Sequence, residues 1–384
     1  MICEKNECTG CSACLNICPV NAISMEKDNY GNIYPIVDKS KCINCDMCKK
    51  VCPVLKEKLD LKEPINAYAM YNKNVKQRLE STSGGLATLF YKKILEENGV
   101  VYGASNLFGK NSFGFVRVTD EKELYKVRGS KYVHVYIDDI YRKVKNDLLN
   151  NQKVLFIGTP CQVSGLKNFL FKEYENLYTV DLICHGVPSQ QLLFDSLNEL
   201  KIRKEDVKVI VFRDNHGFNI KIINMNDEVI YSVDSYVNDY YRNFLEGNIY
   251  RENCYSCKYA RKERISDVTV GDFWGLAKDS SIYDDEKKGI SLVMPITDKG
   301  LELVNKCLND CHYELRTVDE ACKKNGQLNH PMNKSQKYKI YLNEYPKIGF
   351  KKTMKKMLKP KEKIKVVLKK NKVISKLYRI IKKK

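Results

Sequence analysis

Eight cysteines in two matching runs constrain this chain more than any other feature. Cys8, Cys11, Cys14 and Cys18 lead into Pro19, and Cys42, Cys45, Cys48 and Cys52 lead into Pro53. Each run therefore reads CxxCxxCxxxCP, and the second repeats the first at an offset of 34 residues. Two intervening residues let three consecutive thiolates close around one face of a cube, and the proline stops the helix after the last ligand. Disulfides or a pair of zinc knuckles are the alternatives, but neither calls for two four-cysteine runs each closed by proline. The duplication fits a module with approximate twofold symmetry.

The runs are similar to the bacterial two-cluster ferredoxin pattern, in which the fourth cysteine of each run ligates the other cluster. That crossing implies one [4Fe-4S] cluster on Cys8, Cys11, Cys14 and Cys52 and a second on Cys42, Cys45, Cys48 and Cys18. Cys3 lies outside the pattern and reads as incidental. Between the runs, AISMEKDNYGNIYPIVD predicts two short strands around an Asn-Tyr-Gly turn. The N-terminus has no basic-then-apolar leader, and no run approaches eighteen apolar residues. Thiolates that hold iron belong in a reducing cytoplasm, which is the expected location.

At 384 residues the chain exceeds one ordinary core, so a small module plus a larger domain is expected. The predicted fold class is α+β: a dicluster ferredoxin-like domain over residues 1–60, a mixed α/β domain over 64–330 and a helical basic tail over 345–384. The boundary falls at Pro64, after a charged connector. The net charge of +19 would suit a nucleic-acid binder if it were spread over a groove. Residues 347–384, however, hold 17 Lys and Arg against the single acid Glu362, leaving +3 for the rest. A specific nucleic-acid surface is therefore not expected. Phe350, Met354, Met357 and Leu358, and beyond Pro360 the residues Ile364, Val367, Ile374, Leu377, Tyr378 and Ile381, fall at helical spacing. A basic amphipathic helix of that kind reads as a peripheral anchor on anionic lipid at the inner membrane surface, through residues 347–384. The alternatives are a solvated tail and non-specific phosphate contact.

In the larger domain, residues 65–71 form a strand pattern followed by STSGG and a helix that stops at Gly99. Ser83, Gly84 and Gly85 offer a hydroxyl and close backbone approach at a helix start, which suits an anion or simply a cap. Arg128, Gly129, Ser130, Lys131 and Tyr132 place cations, a hydroxyl and an aromatic ring in one turn, either a grip on a phosphate and a planar ring or an ordinary turn. Residues 153–201 read as a βαβα unit with Cys161 and Cys184 just past the ends of their strands, the edge where open α/β sheets bind ligands. Three strands follow over 207–233, then a tyrosine-rich helix and the pair Cys254 and Cys257. Joined to Cys161 and Cys184, that pair completes a third four-cysteine site, for a [4Fe-4S] cluster or, as runner-up, structural zinc. Cys307, Cys311 and Cys322 remain without a role, and His134, His216 and His330 show no partner pattern.

Together SGG, GSKY (129–132), TPCQ (159–162), CHG (184–186) and CxxCKY leading to DVTVGDFWG (254–275) resemble the beta subunits of coenzyme F420-reducing hydrogenase and the related formate dehydrogenases. The resemblance covers residues 1–275 and weakens towards 330; the tail after Tyr345 lies outside it. It implies an FAD-containing iron–sulfur oxidoreductase, with FAD near Ser83, Gly84, Gly85, Ser130, Lys131 and Tyr132. In such a protein single electrons pass between clusters and flavin, and the flavin exchanges a hydride with F420 or another organic molecule. Implied partners are ferredoxin or a dehydrogenase or hydrogenase subunit, besides the organic hydride donor or acceptor. The alternative function is an electron-transfer subunit without substrate chemistry of its own. No catalytic residue is assigned.

Overall fold

The computed structural model describes residues 2–105, 112–214, 217–283 and 288–370. The cysteine module holds α1 (Ala13–Ile17), the antiparallel pair β1 (Ile23–Lys27) and β2 (Ile33–Val37), and α2 (Met47–Lys50). Ser12 and Asp46, 34 residues apart, both take left-handed backbone before these short helices. The sequence duplication is thus a structural one.

The larger domain runs β3 (Ala67–Asn72), α3 (Val75–Leu79), α4 (Leu86–Glu96), β4 (Val100–Ala104), β5 (Phe115–Val118) and α5 (Ile140–Leu149). It continues through β6 (Val154–Gly158), α6 (Pro160–Leu170), β7 (Leu177–Leu182) and α7 (Gln190–Glu199). A separate antiparallel sheet of β8 (Val207–Val211), β9 (Asn219–Asn224) and β10 (Val229–Asp234) precedes α8 (Asp239–Leu245). Then come β11 (Val268–Asp272), β12 (Ser291–Pro295), α9 (Asp298–Asn305), β13 (Cys311–Arg316), α10 (Val318–Lys324), α11 (Gln336–Met357) and α12 (Pro360–Lys370).

The main sheet has the order β13-β3-β12-β11-β7-β6-β4-β5. Its centre, β11-β7-β6-β4, is parallel, and the flanking pairs are antiparallel. Buried on both faces, its strands are nearly continuous apolar runs. Tyr102 and Phe156 pack with α5, α6 and α7, while their neighbours Val101 and Leu155 pack with α4 and α9 on the opposite face. The parallel pairing of β6 with β7 sets Gly158 against Asp181, so the segments that carry Cys161 and Cys184 leave from one edge of the sheet.

The tail departs from expectation. Helix α11 runs through residue 345, and Phe350, Met354 and Met357 are buried with Tyr338, Tyr341 and Tyr345 in the main core. That half of the apolar stripe is therefore core rather than a lipid-facing surface: the aromatic ladder on α11 and α8 leaves a hollow that these side chains fill. Ile364 and Val367 on α12 are exposed. Ile374, Leu377, Tyr378 and Ile381 lie outside the described residues, as does His216.

The cysteine module seats on α5 and α6. Arg142 of α5 donates through Nε to the carbonyl of Asn16 (2.6 Å) and through Nη2 to those of Leu15 (3.1 Å) and Cys18 (3.0 Å). It thereby caps the carbonyl end of α1, the end where a cation is favoured. Across this contact, a Cβ added to Gly165 of α6 would stand 3.0 Å from the Cys11 sulfur and 2.9 Å from the Tyr141 hydroxyl. Glycine is what lets the two backbones meet. Gly165→Val should destabilise this seat by about 1–3 kcal/mol, the usual cost of overpacking. The measurement is the rate of proteolytic release of the module through the 54–64 connector, and a release rate equal to that of the parent would contradict the reading.

Candidate functional site

Three sets of thiols and one cavity lie along a single route. Cys42, Cys48 and Cys18 are half-buried and Cys45 is exposed, so this set meets solvent. The Cys18 sulfur accepts a hydrogen bond from the Ala22 amide at 3.2 Å. Cys8, Cys11, Cys14 and Cys52 line one small cavity together with Cys3, which matches the crossed assignment of the fourth cysteine. Cys3 is not incidental in place: its thiol hydrogen-bonds both Cys52 and Cys8. Those bonds, first among several causes, hold Cys8 at about 6 and Cys52 at about 7. Burial pushes Cys11 up to about 12.

Cys161, Cys184, Cys254 and Cys257 converge from three segments. Cys161 sits in the first turn of α6, where Thr159 is the N-cap of a capping box with Gln162, and its sulfur lies 3.2 Å from the Thr159 hydroxyl. Cys184 follows β7. Cys254 and Cys257 lie in the loop before β11, pinned because Arg264 pairs with Asp181 of β7 at 2.8 Å, both side chains buried. Arg264 also donates to the Tyr259 carbonyl at 2.8 Å, and Thr269 donates to Asp181 at 2.7 Å. Charges on Cys184 and Cys257 are felt at Cys161, that on Cys257 at Cys184, and those of all three at Cys254. Burial pushes Cys161 and Cys184 up to about 12, and raises Cys254 and Cys257. Helix-start placement alone would have lowered Cys161; desolvation wins. Four half-buried cysteines whose thiolates would repel one another fit a cationic core that would offset the repulsion. The charge of Cys161 also reaches Cys11, so the buried set of the module adjoins this third set.

Beside Cys184 opens a cavity of about 250 Å³. Its lining unites Ser83, Gly85, Ser130, Lys131, Tyr132, Thr159, Cys184, His185, Asp272 and Trp274, so all the short motifs read from the sequence meet here. Gly84 serves otherwise: its Cβ would collide with the Met70 carbonyl at 2.2 Å, so it lets the loop lie on β3. Gly85, with φ of 81°, is the N-cap of α4 and offers no side chain to the open helix amides. Two loops form this wall, tied by the Arg128–Glu80 pair and by Ser130 donating to Thr82 at 3.3 Å. Lys131 turns back on its own loop and donates to the carbonyls of Val127, Arg128 and Gly129 at 2.8–2.9 Å. It shapes the turn rather than pointing a free cation outward. The Tyr132 ring stacks on Phe244 at 4.5 Å.

Four lining residues were not singled out by sequence reasoning. Arg213 pairs with Asp272 at 2.6 Å, and its guanidinium lies over Phe218 (4.8 Å) and Trp274 (5.9 Å). The Oδ1 of Asp272 is buried and, among the described residues, has no hydrogen-bond partner, leaving an acceptor for a bound N–H or O–H. Desolvation of the ring against the cavity lowers the pKa of His185, against the pull of Asp272. His185, Asp272 and Trp274 lie inside the CHG and VGDFWG motifs, whereas Arg213 comes from the second sheet and has no signal in sequence. His134 is buried and held at about 3, first by burial and then by Arg251. Cys307 and Cys311 pack in the core beneath α4 and α9. His330 is exposed, its ring nitrogen 2.9 Å from the Pro331 carbonyl.

Residues 7–55 match the 4Fe-4S dicluster domain, and residues 151–321 match the C-terminal part of the coenzyme F420 hydrogenase/dehydrogenase beta subunit. The coenzyme F420-dependent sulfite reductase of Methanocaldococcus jannaschii is 27% identical over 238 residues, 60% of this chain. This chain covers 35% of that protein, about a third of its length. A chain of the F420-reducing [NiFe] hydrogenase complex from Methanosarcina barkeri aligns over 69% of this chain and 91% of its own, at 17% identity and a TM-score of 0.45. No helix among the described residues is long and apolar enough to cross a membrane. The chain thus joins a 4Fe-4S dicluster domain to a domain of the coenzyme F420 hydrogenase/dehydrogenase beta-subunit family.

Proposed function

We propose that this protein is an iron–sulfur flavoprotein oxidoreductase whose three thiol sets hold [4Fe-4S] clusters and whose cavity holds FAD. One observation carries the reading: the cavity that gathers the five motifs opens beside Cys184, a member of the third thiol set, and that set adjoins the buried set of the module. When bound, the clusters supply one-electron transfer and the flavin converts between single electrons and hydride, with F420 or another organic molecule as the hydride partner.

The protein's own groups divide the work. The two loops at 80–85 and 128–132 form a wall with open helix amides for a phosphate. Tyr132 and its aromatic neighbours give an apolar flank, and Asp272 offers its unpaired acceptor. His185 offers a ring nitrogen beside the cavity. The solvent-exposed Cys45 set faces an outside redox protein such as ferredoxin or a hydrogenase or dehydrogenase subunit.

On α12, Ile364 and Val367 are exposed among lysines, which supports a peripheral contact of the last residues with anionic lipid. Deleting residues 360–384 should abolish co-sedimentation with phosphatidylserine vesicles, and Ile364→Asp with Val367→Asp should weaken it. Full binding by the double variant, together with loss of binding in salt, would leave a polycation and no anchor.

Two measurements test the main reading. Anaerobically purified protein should hold about twelve irons per chain. Cys161→Ser with Cys184→Ser should bring that to about eight and spare the module. About eight irons plus tightly bound zinc in the parent would remove the third cluster. For the flavin, Lys131→Glu sets a carboxylate against three carbonyls and should weaken FAD retention by about tenfold, ~1.4 kcal/mol. Unchanged retention would move the flavin away from this turn.

A further inference from the structure

Arg251 is the group that the reading above leaves unused. It is 1% exposed, yet it has no carboxylate partner among the described residues. Its neighbour Glu252 is engaged elsewhere, with Lys334 and Tyr338. The Arg251 Nε donates to the Cys8 carbonyl at 2.8 Å, but Nη1 and Nη2 are buried without a hydrogen-bond partner. The face of the guanidinium lies 4.2 Å from the centre of the Tyr34 ring. Gly10 also stands close, in left-handed backbone between Cys8 and Cys11; a Cβ there would come within 3.4 Å of the Arg251 Cζ and 2.7 Å of His134. His134, held neutral, cannot balance the charge.

The backbone of Arg251 belongs to the other thiol set. Its amide donates to the Val187 carbonyl in the loop after Cys184 (2.9 Å), and its carbonyl accepts from the Cys254 amide (3.0 Å). The residue is thus rooted in the third set while its head lies against the first. The charged and titratable groups that face it are the thiols of Cys8 and Cys161, the phenols of Tyr34 and Tyr136, and neutral His134.

A buried guanidinium with no carboxylate beside it and only the Cys8 thiol as its nearest anionic group is costly, and its two outer nitrogens without a hydrogen-bonding N or O partner add to that cost. Four thiolates around a cluster give a net negative charge, which the same guanidinium would offset. We propose that Arg251 is a fixed counter-charge and N–H donor shared by the two buried clusters. It raises their reduction potentials relative to the exposed cluster on Cys18, Cys42, Cys45 and Cys48, so that electrons entering from the surface settle inward. Net charge and hydrogen bonds to sulfur are the levers by which a protein sets such potentials, and a positive charge favours the reduced, more negative state. Arg251 is on this account a positioning and tuning residue, and the proposal rests on the cluster reading above.

The test is a redox titration of the full, cluster-loaded chain followed by electron paramagnetic resonance. Arg251→Met should lower at least one buried-cluster potential by tenfold or more in the reduced-to-oxidised ratio, about 59 mV for one electron. The exposed cluster should keep its potential, and Arg251→Lys, which keeps the charge, should stay within tenfold of the parent. Should the Met variant fail to fold, Arg251→Gln retains N–H donors without charge and should show the same downward shift. Parent-like potentials in the neutral variants would overturn the proposal. So would loss of clusters from the Lys, Gln and Met variants alike, since that would mark a purely structural residue. A parent that loads no clusters would instead defeat the cluster reading itself.

Discussion

The approach of α1 to α6 at Gly165 is the contact on which the rest of the arrangement depends. A small residue there admits the Cys11 side chain to within touching distance of the helix whose first turn carries Cys161. Without that approach the module would be an independent carrier on a tether. With it, and with Arg142 capping the carbonyl end of α1, the buried thiol set of the module and the third set become neighbours in one rigid body. Backbone proximity, rather than any single strong bond, fixes the order of the sites.

Three different environments follow from the same packing. One thiol set faces solvent, the next is buried around a small cavity, and the third lies half-buried at the carboxyl edge of the parallel strands beside the large pocket. Solvent exposure and net charge both shift the potential of an iron–sulfur centre, so centres held in these places would differ in their settings. The parallel strands serve this directly. Their shared direction places Thr159, Cys184 and Asp272 at one edge, where the loops rather than the strands make the pocket.

Much of this was legible in the sequence, and the reasons are specific. The eight module cysteines carry a spacing that few other structures require, and the apolar runs at 153–158 and 177–183 announce buried parallel strands. Strand-end placement singled out Cys161 and Cys184, and the lone CxxC of Cys254 and Cys257 supplied the other two of the proposed set. What escaped was set by tertiary contact. Cys3 lies outside the motif and reaches the first set only through folding of the N-terminal residues over it. Arg213 reaches the pocket from a separate sheet. Phe350, Met354 and Met357 share the periodicity of a membrane-facing helix, and periodicity cannot distinguish a lipid surface from an aromatic-lined hollow.

The buried pair Arg264–Asp181 shows how the third site keeps its geometry. Removing two charges from water is costly unless nearly every proton and lone pair is used. Here Arg264 donates to Asp181 Oδ1, Thr269 and the carbonyls of Tyr259 and Leu182, and Thr269 donates to the same Oδ1, while the buried Oδ2 of Asp181 has no hydrogen-bond partner among the described residues. These bonds tie the end of β7, the start of β11 and the loop after Cys257 into one knot. The thiols of Cys184 and Cys257 leave that knot within a few residues on either side, so little freedom remains in how they face each other. Arg251 stands at the opposite side of the same sites with its outer nitrogens open. One arginine is spent on holding the backbone, and the other is left with its charge directed at the thiols.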